Sequence, residues 1–310
     1  MNETLVIVGP TAVGKTKLSI YLAKRFQTEI INGDAFQVYR GMDIGTAKVT
    51  RQEAQNVPHH LIDICDPSEP YTVADYQIDA RRILENLSTR GKMPIIVGGT
   101  GFYIKAALYD YHFGSTGADH QYRLSLARFA EEKGKLALHE RLKALDPDAA
   151  KQIHPNNLVR VMRALEVIHE TGRPFSRHDQ REISQCLYPF FCIGLTLDRA
   201  LLYARINARV DQMIENGLIN EVRALYDQGL HGAQAMQAIG YKEFIPYFDG
   251  RVPLADAIDQ LKKHSRHYAK RQYTWFNHQM PIHWIDMTEA LDDFQAKAEE
   301  IHRFVKEYRR

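Results

Sequence analysis

The chain has 310 residues, enough for one large domain or two smaller ones, and its 45% hydrophobic and 25% charged residues are the composition of an ordinary soluble globular protein. No apolar run is long enough to span a bilayer, and a core strand is expected almost at once, so no signal peptide is expected. The net charge of +2 does not by itself suggest a polynucleotide partner; the three cysteines, Cys65, Cys186 and Cys192, lack metal-ligand spacing and cannot all pair, so a reducing, cytoplasmic setting is expected.

The first strand is expected over Thr4–Val8. It runs into GPTAVGKT: Gly9, Pro10, Thr11, Ala12, Val13, Gly14, Lys15 and Thr16. The spacing G-x-x-x-x-G-K-T is that of a phosphate-binding loop. Its glycines let successive backbone N–H groups converge on one anion, Lys15 adds a mobile positive charge, and Thr16 offers a hydroxyl to Mg²⁺ at the start of the next helix. Leu18, Leu22 and Phe26 carry helical spacing behind the loop, over Lys15 to Phe26. Strand, loop and helix thus stand in the order the mechanism needs, which argues against a chance Gly-rich turn.

A second strand, Glu29 to Asn32, should deliver Asp34 to the carboxyl edge of the sheet, on the same rim as Lys15. There Asp34 is open to three roles: general base, partner of a hydrated Mg²⁺, or helix cap. The irregular stretch from Gln37 to Pro58 follows that strand end, where loops line the site in this architecture. His59-His60 precedes a strand expected at Leu61 to Ile64; with no H-E-x-x-H or Cys/His cluster nearby, the pair reads as structural.

Helix Val73 to Arg90 leads to strand Pro94 to Val97, which ends in Gly98-Gly99-Thr100-Gly101. A phosphate-loop ATPase often ends such a strand in an acid that manages metal and water. Here a tight turn brings backbone and hydroxyl close to a ligand, with Thr100 equally placed to cap the helix Gly101 to Tyr109. Strands alternating with helices indicate a parallel sheet covered on both faces.

From about Asp119 to Arg181 only helices are expected, and a strand at Phe190 to Leu197 resumes the sheet, so a helical subdomain is inserted into an α/β core. The expected boundaries are 1–115 with 188–310 for the core and 116–187 for the insert. Within the insert, Arg160 and Arg163 share a helix face, as surface partners of Glu166 or as phosphate contacts. Helices Arg199 to Asn216 and Leu218 to Gln228 carry Arg205, Arg209 and Arg223, each a surface charge or an anion clamp. Helix Pro253 to His278 carries Lys262, Lys263, His264, Arg266, His267, Lys270 and Arg271, followed by Tyr273, Trp275 and Phe276. That is either a solvated face or a surface with cations for phosphates and rings for bases. A strand at Ile282 to Ile285 and a helix from Ala290 to Tyr308 close the chain.

The blocks GPTAVGKT, DAFQVYRGMDIGTAK, PHHLIDICDPSEPYTVADY, IIVGGTGFYIKAAL, NNLVRVMRALEV, AIGYKEF and AKRQYTWF occur in the order and at the spacing of the tRNA dimethylallyltransferases. From Leu5 to about Trp284 the chain resembles the bacterial members of that family. The resemblance implies a phosphate-loop core related to nucleotide kinases, with an inserted helical domain that grips the tRNA anticodon arm. It implies transfer of a dimethylallyl group from dimethylallyl diphosphate to the exocyclic N6 amine of the adenosine on the 3′ side of the anticodon, with Mg²⁺ accompanying the diphosphate. Asp34 takes the family's general-base position and Thr100 the contact near the reacting centre, with Lys15 and Thr16 on diphosphate and metal.

The tRNA-facing positions implied by the resemblance are Asp34, Ala35, Phe36, Gln37, Thr100, Arg123, Val159, Arg160, Val161, Met162, Arg163, Gln237, Gly240, Tyr241, Lys242, Lys270, Arg271 and Gln272. Family members usually carry Ser where this chain has Ala35, so the hydroxyl contact of that Ser is missing. Asp34 is expected to stay ionised at neutral pH with an ordinary pKa of about 3.9. A cytoplasmic monomer with no membrane partner is expected. The rivals are a small-molecule or nucleotide kinase and a nucleotide-switched RNA-binding protein; the GGT turn and the full set of blocks stand against both.

Overall fold

The structure is a computed structural model that describes residues 3–111, 113, 120–176 and 185–308. The expected insert boundary at 115–116 lies outside the described residues. The chain divides into two compact units, one formed by Met1–Tyr109 with Leu187–Arg310 and the other by Asp110–Cys186. Among the described residues no helix is long and apolar enough to cross a membrane.

The first unit is an α/β core around one sheet of six parallel strands: β1 (Thr4–Val8), β2 (Ile30–Asn32), β3 (His59–His60), β4 (Ile95–Gly98), β5 (Phe190–Thr196) and β6 (His283–Asp286), in the order β3-β2-β4-β1-β5-β6. This is the fold class the alternating pattern predicts. The inner strands are apolar on both faces because both faces are covered. Val6, Val8, Ile31 and Ile96 face one core; Leu5, Ile7, Ile30 and Ile95 face the other.

The helices in chain order begin with α1 (Lys15–Arg25), the short α2 (Arg51–Ala54), α3 (Val73–Thr89) and α4 (Gly101–Leu108). In the second unit come α5 (His120–Lys133), α6 (Lys135–Leu145), α7 (Pro147–Gln152) and α8 (Leu158–Thr171). The core then continues with α9 (Arg199–Glu215), α10 (Leu218–Asp227), α11 (Ile245–Phe248), α12 (Leu254–Gln279) and α13 (Phe294–Tyr308). Helices α3, α4, α10 and α12 cover the first face, through side chains such as Tyr76, Ile104, Val222 and Phe276; α1, α9 and α13 cover the other through Leu18, Ile206 and Ile301. Each such fully buried aliphatic side chain contributes about 1.5–3 kcal/mol.

One expected strand is displaced. The ladder partner of β2 is His59–His60 and not Leu61 to Ile64. Leu61 and Asp63 adopt φ of 61° and 56°, left-handed values that an extended strand does not contain. The apolar alternation of that segment serves the core differently: Leu61 is buried, and its carbonyl accepts from Asn32 Nδ2 at 3.0 Å.

Sheet order also fixes where a ligand sits. β1 connects toward β2 on one side, whereas its neighbour β4 connects to β5 on the other. The crevice beyond the carboxyl ends of β1 and β4 is therefore the topological switch point. The two segments that leave those strand ends are Gly9–Thr16 and Gly98-Gly99-Thr100.

Candidate active site

The phosphate-type loop is held in shape by its neighbours. Gly9 takes φ 140°, and a Cβ there would stand 2.6 Å from the Leu195 carbonyl oxygen of β5, so only glycine passes. Gly14 caps α1 in a left-handed conformation with no side-chain hydrogen bond, leaving the first N–H groups of the helix aimed at whatever anion the loop holds. Val13 is buried in the core, and the Ala12 carbonyl accepts from Arg205 Nε at 3.0 Å. Lys15 Nζ donates to the Gly9 and Pro10 carbonyls at 2.8 and 2.7 Å. Withdrawal from water pulls the Lys15 ammonium down to about 7; Arg209 adds to the fall and Asp34 opposes it. Thr16 is exposed at the rim.

Asp34 follows β2 within an Asx turn. Its Oδ1 accepts from the Phe36 N–H at 2.8 Å and the Gln37 N–H at 3.3 Å; among the described residues no helix follows before Arg51, so one oxygen closes a turn and the helix-cap role is not the one realised. Among the described residues Oδ2 accepts no hydrogen bond. The Asp34 backbone N–H is held by Asn32 Oδ1 at 3.2 Å. The expectation of an ordinary pKa is corrected: burial pushes the Asp34 carboxyl up, only partly offset by the Phe36 and Gln37 N–H groups and by Lys15.

Thr100 occupies the N-cap position of α4, yet its hydroxyl makes no cap hydrogen bond. Its Oγ1 accepts instead from the Ala35 N–H at 3.1 Å, tying the GGT turn to the Asp34 turn. The glycines before it are sites of close approach. A Cβ on Gly98 would lie 2.1 Å from the Gly33 carbonyl oxygen, and one on Gly99 would lie 2.0 Å from Gln272 Nε2. Gln272 is buried and bridges the two loops: its Nε2 donates to the Gly99 carbonyl at 3.0 Å and its Oε1 accepts from the Thr11 N–H at 3.2 Å.

These loops open on one cleft of about 940 Å³, lined by Lys15, Thr16, Asp34, Gly99, Arg209 and Tyr268 among others. Arg205 and Arg209, left open by the sequence, both line it; Arg223 does not, stacking on the Phe248 ring at 3.9 Å. A third wall is the Asp43–Lys48 loop. Glu221 of α10 accepts from the N–H groups of Asp43, Ile44 and Gly45 at 2.8–3.0 Å. Gln37 Nε2 holds the Thr46 carbonyl at 3.0 Å. Glu221 and Tyr268 escaped sequence reading. Tyr268 was discernible only as the residue one turn before Gln272; nothing local marks Glu221.

Among the positions assigned to tRNA in the core, Phe36, Gln37, Gln237, Lys242 and Arg271 line the cleft. Tyr241 is fully buried and its hydroxyl donates to Glu221 at 2.5 Å; Gly240, at φ 102°, is pinned by Glu243 at 2.9 Å. The basic helix divides. Lys262 pairs with Asp211 at 2.6 Å, Arg266 donates to Asn207 at 2.5 Å and His264 meets Glu243 at 2.7 Å, whereas Lys263, His267, Lys270 and Arg271 are exposed.

In the helical unit, Arg123 of α5 forms two hydrogen bonds, at 2.5 and 3.1 Å, to the fully buried Glu166 of α8, and Arg163 lies 3.5 Å from the same carboxylate. Arg160 and Val159 are exposed, Val161 is buried, and Met162 packs against the helical core. His60 meets Glu29 at 2.8 Å and His59 the Val57 carbonyl. Among the described residues no group of three His, Cys, Asp or Glu side chains could hold a metal.

A family model described as IPP transferase matches residues 37–279. The chain is 58% identical to the tRNA dimethylallyltransferase of Geobacillus thermodenitrificans over 98% of its length and 96% of that protein's. With the tRNA dimethylallyltransferase of Bacillus subtilis it shares 52% over 97% of each. The solved tRNA isopentenylpyrophosphate transferase of Bacillus halodurans superposes with a TM-score of 0.75 at 50% identity, over 100% of this chain and 97% of that one. A eukaryotic dimethylallyltransferase solved acting on tRNA gives 0.82 at 31% identity, over 97% of this chain and 77% of the other.

Proposed function

The chain belongs to the tRNA dimethylallyltransferase family, an enzyme family that modifies tRNA by prenyl transfer, and from that premise we propose that it moves a dimethylallyl group from dimethylallyl diphosphate to the exocyclic N6 amine of the adenosine 3′ to the anticodon. The observation that carries this reading is the shared crevice: a phosphate-type loop and an incompletely saturated, half-buried carboxylate open on one cleft, with a GGT turn where a hydrolytic enzyme would carry an acid.

The loop N–H groups, Lys15, Arg205 and Arg209 bind the diphosphate and stabilise charge as it develops on the leaving oxygen. The anion raises the depressed Lys15 pKa, so the side chain engages as an ammonium. The allylic C–O bond breaks with its electron pair passing to the diphosphate, while the amine nitrogen bonds to the allylic carbon. Asp34 Oδ2 orients the amine and takes the proton it sheds. Mg²⁺ is the proposed cofactor. With one Thr16 hydroxyl and, among the described residues, no acidic cluster, the donor set suits an ion that substrate phosphates would mainly hold and that would supply charge neutralisation on the leaving group.

The acceptor is the anticodon stem-loop, whose single-stranded bases leave their stack at a cost of only a few kcal/mol. The helical unit and the exposed cations of α12 bind it, and the enzyme works as a cytoplasmic monomer. Incubation with unmodified tRNA, Mg²⁺ and labelled dimethylallyl diphosphate tests the reading: label is expected in the tRNA. Unlabelled tRNA together with ATP hydrolysis or phosphate transfer would overturn it.

A further inference from the structure

Gln272 stands in the tRNA-facing set by resemblance, yet it is only 5% exposed and both ends of its amide are engaged inside the protein. Its Nε2 donates to the Gly99 carbonyl at 3.0 Å, and its Oε1 accepts from the Thr11 N–H at 3.2 Å. A carbonyl can only accept and a backbone N–H can only donate, so these partners fix the amide's orientation: the oxygen end faces the phosphate-type loop.

That contact changes what the loop can offer an anion. Pro10 has no N–H, and the Thr11 N–H is spent on Gln272. The anion is left to the N–H groups from Ala12 to Thr16, where left-handed φ values of 65° at Ala12 and 104° at Gly14 turn successive N–H groups toward one point. On its other side Gln272 has no slack, because a Cβ on Gly99 would stand 2.0 Å from Nε2. In a phosphate-loop ATPase the metal that bridges the last two phosphates is held between the loop and an acid at the end of a neighbouring strand. Here β4, the neighbour of β1, ends in the GGT turn, and Gln272 closes the gap between that turn and the start of the loop.

From this bridge we infer that Gln272 is a specificity-determining residue, whose amide fills the place of a third phosphate and limits the loop to diphosphates. A third phosphate extending from the loop toward β4 meets an amide oxygen, a partial negative charge, in place of a free N–H. To enter, it must pull a buried side chain away from two backbone partners and leave polar groups unpaired. A diphosphate ends short of the bridge and keeps both hydrogen bonds. The inference rests on the proposed prenyl transfer, whose donor is a diphosphate, and adds to it the exclusion of nucleoside triphosphates from a loop of nucleotide-binding pattern.

Titration calorimetry of the full chain with inorganic diphosphate and with tripolyphosphate, both at saturating Mg²⁺, tests the inference without reference to turnover. The wild type is expected to bind diphosphate about tenfold more tightly than tripolyphosphate, or better. Gln272→Ala opens the gap and frees the Thr11 N–H, so tripolyphosphate should bind it about tenfold more tightly than it binds the wild type, the scale of one hydrogen bond to a charged group, with diphosphate affinity changed far less. Gln272→Asn, an amide one methylene too short to span the two loops, should shift the preference in the same direction. A wild type that prefers tripolyphosphate, or variants in which both affinities change by the same factor, would overturn the inference and leave the prenyl-transfer reading standing. A wild type with the expected preference for diphosphate that transfers no label to tRNA would instead overturn that reading.

Discussion

Arg123 stands in the tRNA-facing set by resemblance, yet in the structure its fork is spent on Glu166, and the two roles predict different consequences for Arg123→Ala. Glu166 is fully buried, with contacts at 2.5 and 3.1 Å from Arg123 and 3.5 Å from Arg163. Removing one partner of a buried pair costs about 3–5 kcal/mol. Arg123 is 45% exposed and Arg163 remains near, so screening lowers the expected loss to about 2 kcal/mol. That corresponds to roughly 30-fold easier local opening of the helices it joins.

Hydrogen exchange on the full chain, read in peptides from α5 and α8, should show this loss of protection while peptides from β1 and β4 are unchanged. Replacing both partners, Arg123→Met with Glu166→Leu, should recover most of the protection, because an apolar pair removes the desolvation cost as well as the attraction. Unchanged protection in Arg123→Ala, combined with weaker tRNA binding and a flatter salt dependence, would refute the argument and make Arg123 a phosphate contact.

Asp34→Asn retains the oxygen that accepts from Phe36 and Gln37 but not the base, so turnover should fall about 10²-fold or more with tRNA binding largely kept. Because the folded-state pKa of Asp34 is raised, the native protein holds this proton more tightly than the unfolded chain, and ionisation costs stability as pH rises past the ordinary value. The variant should therefore melt no lower than wild type at pH 7, and wild-type turnover or a clearly lower Tm would count against this account. Glu29, whose pKa is pulled down to about 2 by hydrogen bonds from Lys92, His60 and Arg90 against the opposing effect of burial, should contribute about 3 kcal/mol above pH 4.5, a contribution lost as pH falls toward 2. Urea midpoints of Glu29→Gln and wild type should differ at pH 7 and converge near pH 2; a gap that does not narrow would dismiss the linkage. Lys270→Ala should weaken tRNA binding and lower the slope of log K against log salt by about 0.7–0.9, whereas an unchanged slope would return Lys270 to a solvated surface.

The strands and long helices were legible because burial on both sheet faces and one-sided burial of helices leave periods in the sequence. Most helix ends came within a residue or two for the same reason: α10, for example, runs Leu218–Asp227 against an expected end at Gln228, whereas α13 begins at Phe294 and not at the expected Ala290, which lies in a separate 3-10 turn, Glu289–Leu291. The failure at Leu61 to Ile64 has a specific cause. Two residues there take left-handed φ without being glycine, and a hydrophobic alternation does not report backbone handedness. The site divides in the same way. Loop glycines, Lys15 and Asp34 could be read because their chemistry is local to a few residues. Glu221 could not, since its three backbone partners lie about 177 residues away in the chain and an N–H group has no sequence identity. The arginines stayed undecided for a related reason: their charge was visible, but the partner that spends it was not.

The absence of an acid at the end of β4 and the presence of one after β2 have a common geometric origin. Gly98 lets the β4 backbone close on Gly33, where any Cβ would stand 2.1 Å from a carbonyl oxygen. An aspartate cannot occupy Gly98 without forcing the two strand ends apart. That approach allows the Gly33 carbonyl to accept from the Thr100 N–H at 3.1 Å, and the Ala35 N–H to donate back to the Thr100 hydroxyl. The Asp34 turn is thus fastened to the GGT turn by backbone contacts on both sides. Moving a carboxylate from the end of β4 to the turn after β2 takes it from the position that manages metal and water in a phosphate-loop ATPase. In its place stands a carboxylate with one oxygen saturated and one open, which suits proton acceptance from an incoming amine better than activation of water beside the phosphates.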